Sequence, residues 1–218
     1  MIEVTYIDHM GSDLSVVNAA RVSFGKKSEW MPRIHYGEEL VLKPKDAKLI
    51  KYLAKHKHKS PFNHTFVTFH VKAPIFVARQ LQKHEYMPWN EISRRYVDDD
   101  PEFYFPLTWR GRSTDKKQGS EGEVKSNFNI NYHTMTALKG YQQMLDEGIA
   151  PEQARMILPQ SMMTEWYWSG TLFAFAKMCS LRLKSDTQEE TQLVAQKVAL
   201  TMAKIYPVSW DALMEYAE

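Results

Sequence analysis

Lys83-His84-Glu85, followed by seven residues and then Ser93, carries the densest set of reactive side chains in the chain. The surrounding run from Arg79 to Tyr96 adds Arg79, Gln80, Glu91, Arg94 and Arg95 around the turn-forming Pro88. Guanidinium, ammonium, imidazole, amide and hydroxyl groups together suit an anionic, hydrogen-bonding ligand. The run follows an apolar, strand-like stretch, Thr65 to Pro74. Polar groups at the end of a buried element are where ligand sites are built. Two further arginines stand in apolar helical context, Arg155 in Ala154-Arg155-Met156-Ile157-Leu158-Pro159 and Arg182 in Leu181-Arg182-Leu183. Burying such a group without an anionic partner is costly. Each arginine alone reads as an internal ion pair, whereas several converging would form a clamp for phosphate and carbonyl oxygens.

Other constellations are weaker. His56, His58, His64, His70 and His84 fall close together, but their spacing fits no common zinc pattern and lysines adjoin them. No metal site is expected. Cys179 lies on one helical face with Leu172, Phe175, Ala176 and Leu183, so it reads as a buried structural thiol rather than a nucleophile. Gly-x-Ser-x-Gly and Gly-x-Gly-x-x-Gly are both absent, which removes support for a hydrolase elbow or a Rossmann loop.

The elements that must position these groups follow from periodicity and punctuation. Ile2 to Ile7 reads as a strand, and Asp13 as the N-cap of a helix from Leu14 to Val22. Gly25 to Gly37 reads as irregular and Lys45 to Lys55 as a helix. His56 to His64 is a basic turn. Thr65 to Val71 alternates, with Val67, Phe69 and Val71 on one side. Pro74 opens a helix carrying Phe76, Val77 and Leu81. Thr108 to Lys125 reads as an exposed loop. Helices are expected over Asn127 to Glu147, Pro151 to Leu158, Gly170 to Leu183, Thr187 to Ile205 and Ser209 to Tyr216, with a strand over Ser161 to Trp168. The sum is an α+β chain, one domain over residues 1–218, with a mixed or antiparallel sheet and helices dominant in the C-terminal half.

Composition narrows the function classes. Of 218 residues, 44% are hydrophobic, enough for a core, and 28 Lys plus Arg against 26 Asp plus Glu give +2. That balance disfavours a dedicated nucleic-acid binder. One cysteine cannot form an intrachain disulfide, and the N-terminus lacks a basic segment followed by an apolar one. No apolar run approaches the ~20 residues of a membrane helix. A cytoplasmic protein is expected, in host cytoplasm if the chain is virus-encoded.

Six blocks, in order, resemble the flavin-dependent thymidylate synthases over about residues 1 to 206. They are Met10 to Ser23, His58-Lys59-Ser60-Pro61-Phe62-Asn63-His64, Phe69 to Gln80, Asn90 to Tyr96, Ala154 to Pro159 and Leu181-Arg182. The resemblance implies a homotetramer of α+β subunits with sites formed between subunits. It implies reductive methylation of dUMP to dTMP, with methylenetetrahydrofolate as carbon donor and NADPH, through FAD, as hydride source. No cysteine nucleophile is needed. Carried over by position, Arg182 holds the uracil and favours charge at N3. Arg155, Gln80, Ser93 and Arg95 resemble nucleotide ligands, and Arg94 in the same block falls on the substrate side. Glu91 lies near both nucleotide and flavin. Ser60 resembles a flavin-phosphate ligand, and His58 a residue that stacks at the flavin. Lys83 and His84 match positions that reach flavin and nucleotide.

The chain also departs from the family. The usual Arg-His-Arg is Lys83-His84-Glu85, which loses a bidentate fork and places Glu85 at a flavin-contact position. Thr171-Leu172-Phe173 stands where Asn-x-Arg is common, and Lys177 replaces a later Asn. Lys177, with Lys55, Lys57 and Lys59, is expected to restore positive charge at the cofactor. These departures keep two alternatives open: another pyrimidine nucleotide reaction, such as hydroxymethylation, or a non-catalytic nucleotide- or flavin-binding homologue.

Overall fold

The computed structural model describes residues 1–33, 40–97, 99–114 and 119–217. Its centre is a four-stranded antiparallel sheet in the order β1 (Glu3–Met10), β4 (Phe66–Pro74), β8 (Met163–Thr171), β5 (Trp89–Glu91). The expected alternation in β4 holds: Val67, Phe69, Val71 and Ala73 are fully buried. Phe69 pairs with Trp168 and Val71 with Trp166, so two indoles and the aliphatic row form one apolar face. Trp89 stacks on Trp166 with ring centroids 4.3 Å apart. The opposite face carries Thr68 against Ser169 (2.9 Å) and His70 against Glu165 (2.9 Å).

Helices cover the apolar face. α1 (Asp13–Arg21), α2 (Pro44–Lys55), α6 (Leu172–Arg182), α7 (Glu189–Ile205) and α8 (Pro207–Glu215) surround it, and one continuous core runs from Ile2 to Leu213. The remaining helices are α3 (Ile75–Leu81), α4 (Ile130–Asp146) and α5 (Pro151–Ala154). Met31–Pro32 (β2) pairs with Leu40–Val41 (β3). Among the described residues, no helix is long and apolar enough to cross a membrane.

Several boundaries differ from the sequence expectation. Asp13 is the first residue of α1 rather than its cap: Ser12 holds the cap position, and its N–H donates to Ser15 Oγ (3.0 Å). The Asp13 carboxylate instead accepts from the N–H groups of Val208 (3.0 Å) and Ser209 (2.8 Å), capping α8 from far away in sequence. Thr108 to Lys125 is not simply a loop, because Trp109–Arg112 (β6) pairs with Ser120–Val124 (β7) in a hairpin. Its alternation is too polar to announce a strand. The Pro151 helix makes one α turn and tightens to 3-10 over Arg155–Ile157. Residues 34 to 37 of the segment read as irregular lie outside the described residues.

Two strand-to-helix corners place the functional groups. β4 turns into α3 at Pro74, and β8 turns into α6 at Thr171, both with extended backbone at the cap. Thr171 Oγ1 accepts from the Ala174 N–H (3.2 Å), an N-cap bond that fixes where α6 begins. The C-terminal ends of α3 and α6 then meet.

Candidate active site

Arg182, on the last turn of α6, reaches the C-terminal end of α3. Its Nη2 donates to the Gln80 carbonyl (2.9 Å), an orphan acceptor of the short helix, and its Nε donates to His84 Nε2 (3.1 Å). Because Nε2 accepts, the His84 proton resides on Nδ1. Burial, then the charges of Arg182 and Lys177, hold His84 down to about 4, so the ring is neutral near pH 7. Burial also lowers the Arg182 guanidinium. His84 and Arg182 line a cleft of about 650 Å³ with Lys59, Lys83, Glu85 and Lys177. Tyr86 stands on its rim, 90% exposed and in the left-handed backbone region (φ 60°).

A second cleft, about 730 Å³, lies against the other face of α3. Arg79, Arg94 and Arg155 converge there, with Glu91 and Glu152. Arg79 and Arg155 have no ion-pair partner among the described residues, so their donors are available to an anion. Glu91 is held on both oxygens, accepting from Thr164 Oγ1 (2.6 Å) and Trp89 Nε1 (3.0 Å). Arg94 donates to the Asp99 carbonyl, and Arg95 lies 3.6 Å from Glu152. Ser93 sits half-buried in the turn after β5, its Oγ accepting from the Arg95 N–H (3.3 Å). Among the described residues no base is bonded to that hydroxyl, which suits a ligand contact rather than a nucleophile.

His58 and Ser60 line a third, basic cavity with Arg21, Lys26, Lys45, Lys48 and Lys59. His58 is exposed and stacks at 6.1 Å on Tyr52. Lys59 lines both this cavity and the Arg182 cleft, with its ammonium 5.5 Å from the Phe173 ring centroid. Within one chain, then, most of the residues singled out by sequence divide among three depressions, whereas Gln80, Ser93 and Arg95 line none of the three. Arg182, His84, Lys83, Glu85 and Lys177 come together; Arg155, Arg94 and Glu91 come together elsewhere; His58 and Ser60 stand beside Lys59, and a further cavity brings His58 together with Lys59, Phe173 and Lys177.

An anionic cofactor fits the Arg182 cleft. Lys59, Lys83, Lys177 and Arg182 set their cations there against Glu85. The two positions that depart from the usual Asn-x-Arg are used structurally. Thr171 caps α6 and donates to Asn63 Oδ1 (2.8 Å), and Phe173 offers an aromatic face beside Lys59. Cys179 is fully buried, its thiol facing the Ala195 carbonyl (3.5 Å), and burial pushes its ionisation far up.

Sequence reasoning missed a polar chain behind Gln80. Gln80 Nε2 donates to Gln188 Oε1 (2.6 Å), and its Oε1 accepts from Thr191 Oγ1 (3.2 Å). Gln188 Nε2 donates to Glu190 (3.0 Å), which also receives two bonds from Arg110 Nη2, at 2.6 and 2.8 Å. The acidic pair Glu189-Glu190 stands in the first turn of α7, where carboxylates favour a helix N-terminus, so its residue types alone do not announce the link to Gln80.

The thymidylate synthase complementing protein model, Thy1, matches residues 5–208. The flavin-dependent thymidylate synthase of Thermus thermophilus is 38% identical over 98% of this chain and 76% of its own length. That of Thermotoga neapolitana is 36% identical over 98% of this chain and 91% of its own. Among solved structures, the UMP/dUMP methylase PolB from Streptomyces cacaoi bound with 5-Br dUMP superposes with TM-score 0.81. It is 32% identical and covers all of this chain, which in turn covers 96% of it. The chain belongs to the thymidylate synthase complementing protein family, the flavin-dependent thymidylate synthases.

Proposed function

We propose that this protein methylates dUMP to dTMP, with methylenetetrahydrofolate as carbon donor and NADPH as reductant. FAD, when bound, supplies the relay that carries hydride between reductant and pyrimidine. The observation that carries the reading is the paired placement of arginines: Arg182 against a neutral His84 in one cleft, and Arg155 and Arg79, without an ion-pair partner among the described residues, in the other.

Arg182 is half-buried, and its partners Gln80 and His84 carry no charge to neutralise it. Its guanidinium is thus available to stabilise negative charge at the uracil N3 without reorganising. Lys83, Lys177 and Lys59 would hold the cofactor's phosphates, with Ser60 and His58 next to Lys59. Glu91 is fixed by Thr164 and Trp89, so it can accept a hydrogen bond at a defined point. Arg155, Arg94, Arg95 and Ser93 serve the nucleotide directly, and Gln80, its side chain held by Gln188 and Thr191, serves it through the carbonyl that receives Arg182. No protein thiol takes part, which agrees with the depth and raised ionisation of Cys179.

Residues 1–218 act as one unit in a homotetramer, in which a neighbouring chain brings the arginine cleft up to the Arg182 cleft. Both rims support this. Met156 beside Arg155 is 74% exposed and Tyr86 beside His84 is 90% exposed, apolar surface of the kind a partner covers. PolB solved with 5-Br UMP is also similar, with TM-score 0.76 and 31% identity, which favours methylation of UMP as a second reading. Offering dUMP and UMP together, with FAD and both co-substrates, tests the two. dTMP as the main product supports the first reading, a methylated ribonucleotide alone supports the second, and neither product overturns both.

A further inference from the structure

We propose that Gln188 and Glu190 are positioning residues for Arg182, acting through Gln80, with Arg110 of the β6–β7 hairpin holding Glu190 in place. This rests on the reading of Arg182 as the pyrimidine ligand.

α3 is seven residues long, and a helix of two turns frays at its end unless something holds it. Its last turn supplies the carbonyl of Gln80 that receives Arg182 Nη2. The same residue's side chain is anchored at both ends, by Gln188 Oε1 (2.6 Å) and Thr191 Oγ1 (3.2 Å). Gln188 and Thr191 both stand at the start of α7, so α7 fixes the acceptor that aims Arg182. Gln188 is fixed in turn by Glu190, 3% exposed, whose carboxylate accepts from Gln188 Nε2, from Tyr104 Oη (3.3 Å) and, on both oxygens, from Arg110 Nη2. Arg110 is itself tied to Ser120 Oγ (2.8 Å) and Glu189 (2.8 Å).

A merely structural tie between hairpin and α7 would need only Arg110 and Glu190. The geometry continues past them, through Gln188 and Gln80, to the arginine of the His84 cleft. A residue that misplaces a catalytic group by a small distance costs rate rather than fold.

The test uses Gln188→Leu and Thr191→Val, with Thr191→Ser as the conservative partner and Glu189→Gln as the control. Gln188→Leu and Thr191→Val are expected to lower kcat for dTMP formation by about 10- to 100-fold, with little change in KM for NADPH. Thr191→Ser, which keeps the hydroxyl, and Glu189→Gln, which leaves the Arg110–Glu190 pair intact, are expected to retain the native kcat. The second readout is the NMR titration of the His84 ring. That ring faces Arg182, Lys177, Lys83, Glu85 and Lys59, and of these Arg182 is the one held by the relay. Its midpoint should rise from about 4 in the two disruptive variants by the share that the Arg182 charge contributes, while burial, the larger cause, keeps it below the ordinary histidine value. An unchanged kcat and an unchanged His84 titration in folded Gln188→Leu would overturn the proposal. If Gln188→Leu does not fold, the Thr191→Val and Thr191→Ser pair decides it. If native protein makes no dTMP, the assigned activity fails, while the His84 titration still tests the relay.

Discussion

Asp13→Ala should loosen the wall of the cavity that carries His58 and Lys177. Asp13 is 3% exposed and accepts from Val208 N (3.0 Å) and Ser209 N (2.8 Å), the second and third residues of α8. Pro207, the first, has no N–H, so Asp13 satisfies the free donors that the helix buries there. Loss of a helix cap costs about 1 kcal/mol, and a buried N–H left unpaired about 1–3 kcal/mol. Against this, burial raises the Asp13 carboxyl, so its ionised form carries a desolvation cost that alanine removes. The net expectation is a loss of about 2–3 kcal/mol, or roughly 5–10 °C in Tm for a chain of this size. The assay is thermal melting followed by circular dichroism. Asp13→Asn keeps one acceptor oxygen and should fall between native and alanine. The sign of the pH dependence also follows. A carboxyl raised on folding adds stability that is full below about 3.8, its unfolded value, and is lost as pH rises through the folded value. Asp13→Asn should remove that decline. Because Leu213 of α8 and Tyr216, just past its end, line a cavity with His58 that shares Lys59, Phe173 and Lys177 with the Arg182 cleft, FAD affinity should weaken along with Tm. An Asp13→Ala melt within 1 °C (about 0.3 kcal/mol) of native would refute the capping argument.

Three further outcomes are expected. His84 is depressed to about 4, so its contribution to stability is present above pH 6.5 and lost as pH falls through about 4; His84→Gln should flatten that part of a urea-midpoint profile against pH. Cys179→Ala should retain dTMP formation while losing about 1–2 kcal/mol of stability to the small cavity it leaves, and native Cys179 should resist thiol reagents until the protein unfolds. Arg155→Ala and Arg182→Ala, each inactive alone, should regain activity when unfolded together and refolded as mixed assemblies; mixtures as inactive as the parents would place both clefts' work within one subunit.

Much of the frame was legible because period and punctuation agreed. The apolar row Val67, Phe69 and Val71 gave β4, and Pro74 gave the start of α3, since side-chain alternation and a fixed φ act locally. Pairing was not legible. Nothing in Trp109–Arg112 or Ser120–Val124 alternates by hydrophobicity, so the hairpin is visible only once Arg110 is seen to be anchored on Glu190. Asp13 has the residue type of a cap, and it is one, but for a helix nearly two hundred positions away. The site divides the same way. The arginines were found by their apolar surroundings, and three of them, Arg79, Arg94 and Arg155, do converge. That Arg182 faces a different cleft follows from the meeting of the C-terminal ends of α3 and α6, a tertiary relation no local pattern encodes. Gln188 and Thr191 stand within four residues of each other at the head of a helix, and their common target, Gln80, lies more than a hundred residues earlier.

The central claim is that Lys83-His84-Glu85 is a working form of the signature. The direct measurement is dTMP formation from dUMP, methylenetetrahydrofolate and NADPH by purified protein, with and without FAD, beside Arg182→Ala. Product that requires FAD and disappears in Arg182→Ala is the predicted result. Folded, FAD-loaded protein that yields no dTMP would contradict the claim, and product undiminished in Arg182→Ala would remove Arg182 from the site.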